Sequence, residues 1–312
     1  MKTRVLPSVS VLLSSYNGEK YIEDQIRSIM AQKDVQVKLY IRDDCSKDNT
    51  VAVVKQLMRE FDNIVLFEGK SNLNYSKSFL TLLNISGESD YYSFADQDDV
   101  WNCNKLAMAI RTIKHSEQEL CLYASALDVV DEHLNPIQIK NYKKRKLTFG
   151  SFWNRFGLAG CTMVFPLSLK QKCLNYTKKI VENFPYNYGH DGWLVLLCLA
   201  LGGKVLIDKN AYIKYRRHRD AVTLINKNVL TRLREELTSF RKNQSRKTEV
   251  VRFIHECLGE ELNDEVRQIC ECILAYKYSA KYKLKMVKKH YLDTGIGCVD
   301  VLIPAEVMFN LL

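Results

Sequence analysis

The feature that most constrains the fold is a regular alternation of strand and helix patterns over the first hundred residues. A continuous apolar run at 9–13, bounded by Pro7 and a polar turn, predicts a strand buried on both faces. Further strand patterns occur at 35–41, 64–67 and 91–94, and helical patterns at 22–30, 51–61 and 72–83 lie between the strands. Such repeated units predict an α/β fold with a mainly parallel sheet flanked by helices.

Polar segments leave three of these predicted strands at their carboxyl ends. They are Ser14–Asn17, Asp43–Asp48 and Asp96–Asp99. Because ligands of such sheets bind beyond the carboxyl ends of the strands, the three segments should converge on one crevice and form a nucleotide or phosphate site. The sequence has neither G-x-G-x-x-G after the first strand nor G-x-x-x-x-G-K-[ST], which argues against NAD and phosphate-loop chemistry.

The third polar segment places three carboxylates, Asp96, Asp98 and Asp99, within four residues. Carboxylates this close repel one another unless a positive charge lies among them. Hard oxygen ligands suit Mg²⁺ or Mn²⁺, which keep open positions for phosphate oxygens. An acidic turn facing solvent is the alternative, but the flanking Phe94 and Trp101 indicate that the loop leaves and rejoins packed structure.

Composition and charge divide the chain unevenly. With 312 residues, of which 46% are hydrophobic and 26% charged, it resembles an ordinary globular protein. The net charge is +10, and residues 209–294 hold 20 Lys/Arg against 11 Asp/Glu, so the basic charge is concentrated in the C-terminal quarter. Helical spacing continues after residue 226. Cationic amphipathic helices of this kind suit an anionic membrane surface, although a solvated face is the alternative.

The ten cysteines show no C-x-x-C spacing, and residues 1–7 do not read as a signal peptide. We therefore expect reduced cysteines and a cytoplasmic protein. The longest unbroken apolar run, 194–201, is far too short for a membrane span.

Three motifs in order carry a family resemblance. They are Ser-Ser-Tyr-Asn-Gly-Glu-Lys-Tyr-Ile after the first strand, Arg-Asp-Asp-Cys-Ser-Lys-Asp-Asn-Thr after the second, and Ala-Asp-Gln-Asp-Asp-Val-Trp after the fourth. Together they resemble family 2 glycosyltransferases over about residues 8–220, and more specifically the bacterial rhamnosyltransferase-like branch. The resemblance implies a GT-A (Rossmann-like) fold with a helical C-terminal extension. It implies a catalytic domain over 1–225, with a nucleotide-binding half to about 105 and an acceptor half beyond, followed by a basic helical region over 226–312.

The resemblance also implies roles for individual residues near the nucleotide. Tyr16 and Asp43 would hold the base, Asp43 by accepting a hydrogen bond from a pyrimidine N3–H, with Ser14 and Glu19 close to the nucleotide. Tyr16 as a turn-packing aromatic and Asp43 as a loop acid are the alternatives. Cys45, where the family has a small residue, is interpreted as a size-tolerant substitution.

For the acidic cluster, the resemblance implies that Asp98 coordinates the metal. Asp96 would contact the ribose or the metal, and Asp99 would lie behind the metal or contact the sugar. Asp48 is interpreted as a helix cap.

In the second half of the chain, Asp191 stands where the family places its general base, and His190 replaces the usual Glu. Asp191 could also serve only to stabilise the start of an apolar helix. Arg216 or Arg217 could hold the diphosphate, because a guanidinium binds two oxygens together. His218 would complete the metal site or contact phosphate, with a loop histidine as the alternative.

The motifs and the family resemblance together imply an inverting, metal-dependent transferase that uses dTDP-L-rhamnose to extend a surface polysaccharide or its lipid-linked precursor. The partners would be a nucleotide-diphosphate sugar, a saccharide or lipid-linked acceptor and an anionic membrane surface, without nucleic acid. The alternatives are the same chemistry with a UDP-hexose or UDP-N-acetylhexosamine, a non-catalytic sugar-nucleotide binder, and a basic nucleic-acid-binding protein.

Overall fold

The computed structural model describes residues 5–155, 157–183, 189–218 and 248–310. It divides into two compact units. The first comprises Met1–Tyr142, Leu158–Val181 and Val205–Ala221, and the second comprises Lys143–Gly157, Glu182–Lys204 and Val222–Leu312. The boundary predicted at residue 225 lies outside the described residues, so the division into 1–225 and 226–312 stays a prediction.

The described strands form one nine-stranded sheet. In chain order they are β1 (Ser8–Ser15), β2 (Gln36–Asp43), β3 (Ile64–Glu68), β4 (Tyr91–Ala95), β5 (Val100–Trp101), β6 (Cys121–Val130), β7 (Pro136–Lys140), β8 (Val164–Pro166) and β9 (Lys204–Arg216). Their spatial order is β3-β2-β1-β4-β8-β6-β9-β5, with β7 paired to β6. The first four strands pair in parallel, and β8, β7 and β5 join by antiparallel pairing.

The helices alternate with the first strands as the sequence predicts. In chain order they are α1 (Ile22–Met30), α2 (Thr50–Leu57), α3 (Asn74–Ile85), α4 (Lys105–Ser116), α5 (Phe149–Asn154), α6 (Leu167–Asn183), α7 (His190–Ala200), α8 (248–258), α9 (Asp264–Ala275), α10 (Ala280–Lys288), α11 (Gly297–Asp300) and α12 (Ile303–Met308). This confirms the α/β fold class and the helical character of the described C-terminal residues.

Strand β1 is the centre of the parallel part of the sheet. Residues 9–13 are completely buried, because β1 pairs with β2 on one side and β4 on the other and apolar side chains cover both faces. The register pairs Ser15 with Asp43 and Leu13 with Ala95. The carboxyl ends of β1, β2 and β4 therefore lie side by side, and the loops that follow them start from one edge of the sheet.

Three elements have no clear signal in the sequence. Strand β7 has only exposed residues, so no apolar run signals it. Residues 160–162 form a single 3-10 turn before the short β8. Helix α5 was not predicted at all, because its six residues are too few to show a helical period. Among the described helices, none has the length and apolar character needed to cross a bilayer.

Candidate active site

The loops that follow β1 and β2 are joined by hydrogen bonds. The backbone N–H of Asn17 donates to Ser46 Oγ (2.9 Å), and Asn17 Oδ1 accepts from the Lys47 N–H (2.8 Å). The Gly18 N–H donates to Thr50 Oγ1 at 2.8 Å, at the start of α2. Two of the three predicted polar segments thus form one connected edge.

The third polar segment reaches the first through a residue that the sequence did not point to, Gln97. Its Oε1 accepts from the Tyr16 N–H (2.8 Å) and its Nε2 donates to the Tyr16 carbonyl (3.0 Å). A Cβ added at Gly18 would overlap the Gln97 amide, so glycine is required for this close approach. The Tyr16 side chain is 46% exposed, which leaves its ring free of the packed core.

Asp43 ends β2 and is buried. Its carboxylate accepts from the Ser15 hydroxyl (3.1 Å) and from the Ser46 N–H (2.8 Å). Asp44 is also buried, but its carboxylate pairs with Arg42 and accepts from the N–H groups that begin α3. Asp44 therefore holds the fold together, whereas Asp43 is fixed at the edge where the three loops meet.

Ser14 and Glu19 contact neighbouring elements of the same edge. The Ser14 hydroxyl donates to Ser78 Oγ of α3 (2.8 Å), and Glu19 Oε2 accepts from the Asn49 N–H (2.7 Å). Asp48 accepts from the Thr50 N–H at the first residue of α2 (3.1 Å) and from the Glu19 N–H (3.1 Å). The N-cap position itself is Asn49, whose side chain makes no capping hydrogen bond.

Cys45 adopts a left-handed backbone conformation, with φ = 68°. A side chain in this region costs about 1–2 kcal/mol, and a β-branched one costs more. We expect Cys45→Val to lower the free energy of unfolding by about 1–2 kcal/mol, and Cys45→Gly to leave it unchanged or slightly raised. Urea unfolding of both variants checks this, and a Cys45→Gly variant less stable than Cys45→Val would contradict it. Residue 45 must therefore tolerate a positive φ as well as fit a small space.

The acidic loop between β4 and β5 is held against the end of β9. Asp98 Oδ2 lies 2.8 Å from His218 Nε2, and Asp99, which is completely buried, accepts from the Arg216 N–H (3.1 Å). The structure thus brings together the predicted Asp98 and His218, which are 120 residues apart in sequence.

Arg216 is buried, and its guanidinium is committed to this loop and its neighbours. Nε donates to the Asp98 carbonyl (2.9 Å), Nη1 to the Glu132 carbonyl (2.9 Å) and Nη2 to Asp24 Oδ2 (3.0 Å). The Tyr21 ring lies 4.4 Å from the guanidinium carbon and 4.9 Å from the His218 ring. Arg216 thus positions the acidic loop, and its binding of a diphosphate stays a prediction.

Arg217 differs from Arg216 in its surroundings. Its backbone N–H donates to the Val130 carbonyl (2.9 Å), while its buried Nε has no hydrogen-bond partner among the described residues. Arg217 therefore has a guanidinium N–H that is free to donate a hydrogen bond to a ligand.

This difference gives a paired prediction. Arg216→Gln should lower the free energy of unfolding by about 3 kcal/mol, because it leaves buried acceptors without their charged donor. Arg217→Gln should change stability by less than about 1 kcal/mol and weaken nucleoside-diphosphate binding. Thermal unfolding and calorimetric titration with a nucleoside diphosphate separate the two effects. The reverse pattern would select Arg216 as the diphosphate ligand.

Two further buried groups lie beneath the acidic loop, Lys105 and Cys161. Lys105 Nζ donates to Ser93 Oγ (2.9 Å) and lies 3.4 Å from the centre of the Trp101 ring; burial lowers the pKa of this ammonium to about 7. Burial and the negative charges of Asp99 and Asp96 raise the pKa of the Cys161 thiol well above its usual value. Burial and then the carboxylates of Asp98 and Asp96 raise the pKa of Asp99 in the same way.

The carboxylate and thiol groups at this loop could serve as ligands of a divalent cation. Single ligand atoms of Asp96, Asp99 and Cys161 lie within 4.8 Å of one another, and the buried Asp99 Oδ2 accepts from no nitrogen or oxygen donor in the described residues. Crowded carboxylates whose protonation is favoured by mutual repulsion are stabilised by a bound positive charge. The oxygen-rich set suits Mg²⁺ or Mn²⁺, with Cys161 as a softer neighbour that sequence spacing did not reveal.

Asp191 belongs to the second unit. It lies in the first turn of α7, and its Oδ1 accepts from the Gly192 N–H (2.8 Å). The preceding residues 184–188, part of the stretch singled out in the sequence, lie outside the described residues, as does 219–247 with the first predicted C-terminal helical pattern.

His190, the residue beside Asp191, is buried, and burial lowers its pKa to about 3. Its pKa in the unfolded chain is about 6.5, so between these values the unfolded state binds the extra proton and stability falls as the pH is lowered. We expect about 2 kcal/mol to be lost between pH 7 and pH 5 through this residue. Urea unfolding of wild type and His190→Gln at both pH values measures it, with the exposed His133→Gln as control. Equal pH dependence in all three proteins would contradict the prediction.

The parallel-to-antiparallel sheet and the acidic loop at its carboxyl edge define a GT-A glycosyltransferase fold. A solved structure of Staphylococcus aureus TarS (residues 1–349) matches with a TM-score of 0.58 at 18% identity, covering 89% of this chain and 75% of that one. The same protein has been solved in complex with UDP-GlcNAc. The mannosyltransferase PcManGT from Pyrobaculum calidifontis, in complex with GDP-Man and Mn²⁺, matches with a TM-score of 0.52 at 12% identity, covering 98% of this chain and 88% of that one.

The chain belongs to glycosyl transferase family 2, whose family model matches residues 10–171. It is 28% identical over 222 residues to the dTDP-rhamnosyl transferase RfbG of Shigella flexneri, a match that covers 67% of this chain and 72% of RfbG. The family resemblance, the fold class and the assignment as a glycosyltransferase are thereby confirmed.

Proposed function

We propose that this protein transfers L-rhamnose from dTDP-rhamnose, with inversion, to a saccharide or lipid-linked acceptor in the synthesis of a bacterial surface polysaccharide. The similarity to RfbG over two thirds of the chain carries the choice of donor. Membership of a glycosyltransferase family makes the nucleic-acid-binding alternative unnecessary, since the acidic loop would have no use in it.

The base of the donor is recognised, in this proposal, at the joined ends of β1 and β2. Asp43 accepts a hydrogen bond from the pyrimidine N3–H, and Tyr16 packs against the base. The support is that the Asp43 carboxylate is held by Ser15 and Ser46 while the Tyr16 ring stays exposed beside it. Ser14 and Glu19 fix the loops on which these two residues stand.

The diphosphate is bound at the acidic loop. Asp98, Asp96 and His218 would hold Mg²⁺ or Mn²⁺, which when bound neutralises charge on the leaving diphosphate. Arg217 donates to the diphosphate oxygens, Arg216 keeps the loop in place, and the buried Asp99 lies behind the metal. The structure of PcManGT with Mn²⁺ supports a divalent cation in this fold.

The acceptor hydroxyl is activated by Asp191. A carboxylate takes the hydroxyl proton as the acceptor oxygen attacks the anomeric carbon from the face opposite the leaving diphosphate. The position of Asp191 at the start of α7, where the family resemblance places the general base, supports this role.

A UDP-hexose or UDP-N-acetylhexosamine donor is the second candidate. It is favoured by the complex of TarS with UDP-GlcNAc, which shares the fold at 17% identity. Both candidates use the same chemistry, and they differ in the sugar that the site accepts.

We place the reaction in the cytoplasm, at the inner face of the plasma membrane, where a lipid-linked acceptor would be met. The catalytic domain would extend over 1–225, with the basic helical region 226–312 serving this location. The concentration of Lys/Arg in 209–294 supports it.

A donor panel tests the proposed function. Binding and slow hydrolysis of dTDP-rhamnose and of UDP and GDP sugars are measured with and without Mn²⁺. We expect the protein to turn over dTDP-rhamnose but none of the UDP or GDP sugars, and to do so only when Mn²⁺ is present. Turnover of a UDP sugar instead would select the second candidate, and binding without turnover of any donor, even with an added saccharide acceptor, would indicate a non-catalytic sugar-nucleotide binder.

A further inference from the structure

The stretch 278–309 of the second unit, which contains α10, α11 and α12, is rich in exposed apolar side chains. Seven of the fourteen exposed large apolar side chains in the described residues fall between 278 and 309. The most exposed are Tyr278 (89%), Val301 (78%) and Phe309 (74%). Apolar side chains clustered in this way on a surface mark an interaction site, whereas scattered ones do not.

On α10, the exposed apolar side chain is set between lysines. Leu284 is 52% exposed, and Lys281 and Lys288 lie three residues before it and four after it, on the same face of the helix. Met286, which points to the other side, is buried. The helix thus packs through one face and presents a leucine flanked by ammonium groups on the other.

A direct contact joins α10 to the end of α12, from a lysine that lies on the side of Met286. Lys283 Nζ donates to the Met308 carbonyl at 2.9 Å. Met308 and Phe309 are both exposed, while Ile303 and Val307 of the same helix are buried. Because α10 contacts the end of α12, we treat the exposed side chains Leu284, Met308 and Phe309 with Lys281 and Lys288 as one surface, the α10–α12 surface.

The charge of this region is unbalanced. Residues 277–290 contain six lysines and no acidic residue. Among the residues that the structure describes, no carboxylate forms an ion pair with Lys281, Lys285 or Lys288. The partner of the α10–α12 surface must therefore supply negative charge and accept apolar side chains.

We infer that the α10–α12 surface binds an anionic lipid bilayer, with Leu284, Met308 and Phe309 entering the headgroup boundary and the lysines meeting lipid phosphates. A bilayer offers both chemistries in one plane, and each lysine near such a surface adds favourable electrostatic energy. A nucleic acid would pair with the lysines but leave the aliphatic side chains in water. This inference deepens the proposed location of the enzyme and does not depend on the donor sugar.

Vesicle co-sedimentation of the full chain tests it. We expect binding to phosphatidylcholine vesicles that contain phosphatidylglycerol, weak binding to phosphatidylcholine alone, and a loss of binding with added salt. Lys281→Glu/Lys288→Glu should reduce the vesicle partition coefficient at least about tenfold, and Leu284→Gln/Phe309→Gln should reduce it as well.

Matched controls come from the first unit. Lys33→Glu/Lys114→Glu makes the same change in net charge, and Ile137→Gln/Ile139→Gln removes two exposed apolar side chains of strand β7. Both should bind vesicles like the wild type, and circular dichroism verifies that all variants are folded. Equal loss in controls and test variants would overturn the inference. So would a dimer that Phe309→Gln disrupts, or binding to RNA in place of vesicles. The assay needs no sugar donor, so it fails or succeeds separately from the donor panel.

Discussion

Asp191→Asn should lower kcat for sugar transfer by about 10²–10⁴-fold, because asparagine cannot accept the proton of the attacking hydroxyl. The KM for the donor should change little, since the proposed role of Asp191 is in the transfer step. Initial-rate kinetics with a saccharide acceptor, together with donor binding measured separately, distinguish a loss in kcat from a loss in affinity.

A matched control separates catalysis from helix stabilisation. Asp264 also lies in the first turn of a helix of the second unit, and its side chain is almost fully exposed. If Asp191 serves only the helix dipole, Asp191→Asn and Asp264→Asn should both lower stability by up to about 1 kcal/mol and leave transfer intact. That result would remove Asp191 from the mechanism and reopen the non-catalytic alternative.

Asp98→Asn should reduce turnover by about 10²–10³-fold and raise the Mn²⁺ concentration needed for half-maximal activity. Asparagine keeps the backbone carbonyl that accepts from Arg216 and can still hydrogen-bond to His218, so the fold should persist. The loss would then reflect the missing negative charge at the place where the cation and diphosphate meet.

The readout for Asp98 should include metal binding without turnover. Paramagnetic resonance of free Mn²⁺, titrated with protein and a nucleoside diphosphate, gives the affinity directly. Asp62→Asn, an exposed carboxylate between α2 and β3, is the control and should behave as wild type. Unchanged Mn²⁺ affinity in Asp98→Asn would move the site to the other members of the cluster, Asp96 and Asp99 with Cys161.

Two residues of the motifs, Cys45 and His190, differ from the residue types that the family resemblance implies. Relative to the pattern that the family resemblance implies, Cys45 stands in place of a small residue, at a left-handed position, and His190 stands in place of an acid, at a buried one. Each of these residues lowers the stability of the fold. Cys45 does so through its strained φ, and His190 does so at acid pH, where the unfolded chain binds an extra proton. Neither Cys45 nor His190 stands at a position to which we assign a catalytic role.

The sequence by itself determined the parallel part of the fold and the edge that carries the site. Apolar periods are local properties, so strands β1 to β4 and the helices between them follow from windows of a few residues. Because parallel strands end at the same edge, three polar segments at predicted strand ends were sufficient to place Asp43 beside the loop after β1.

Only the tertiary structure decided what each polar residue of that edge contacts. Arg216 or Arg217 was predicted to hold the diphosphate because a guanidinium binds two oxygens together, but the sequence does not show that Arg216 contacts Asp24, 192 residues away. Gln97, Lys105 and Cys161 gave no local signal, since their importance lies in burial and in contacts across the sheet. Hydrogen bonds and desolvation depend on distance in space, and a residue pattern along the chain does not contain that distance.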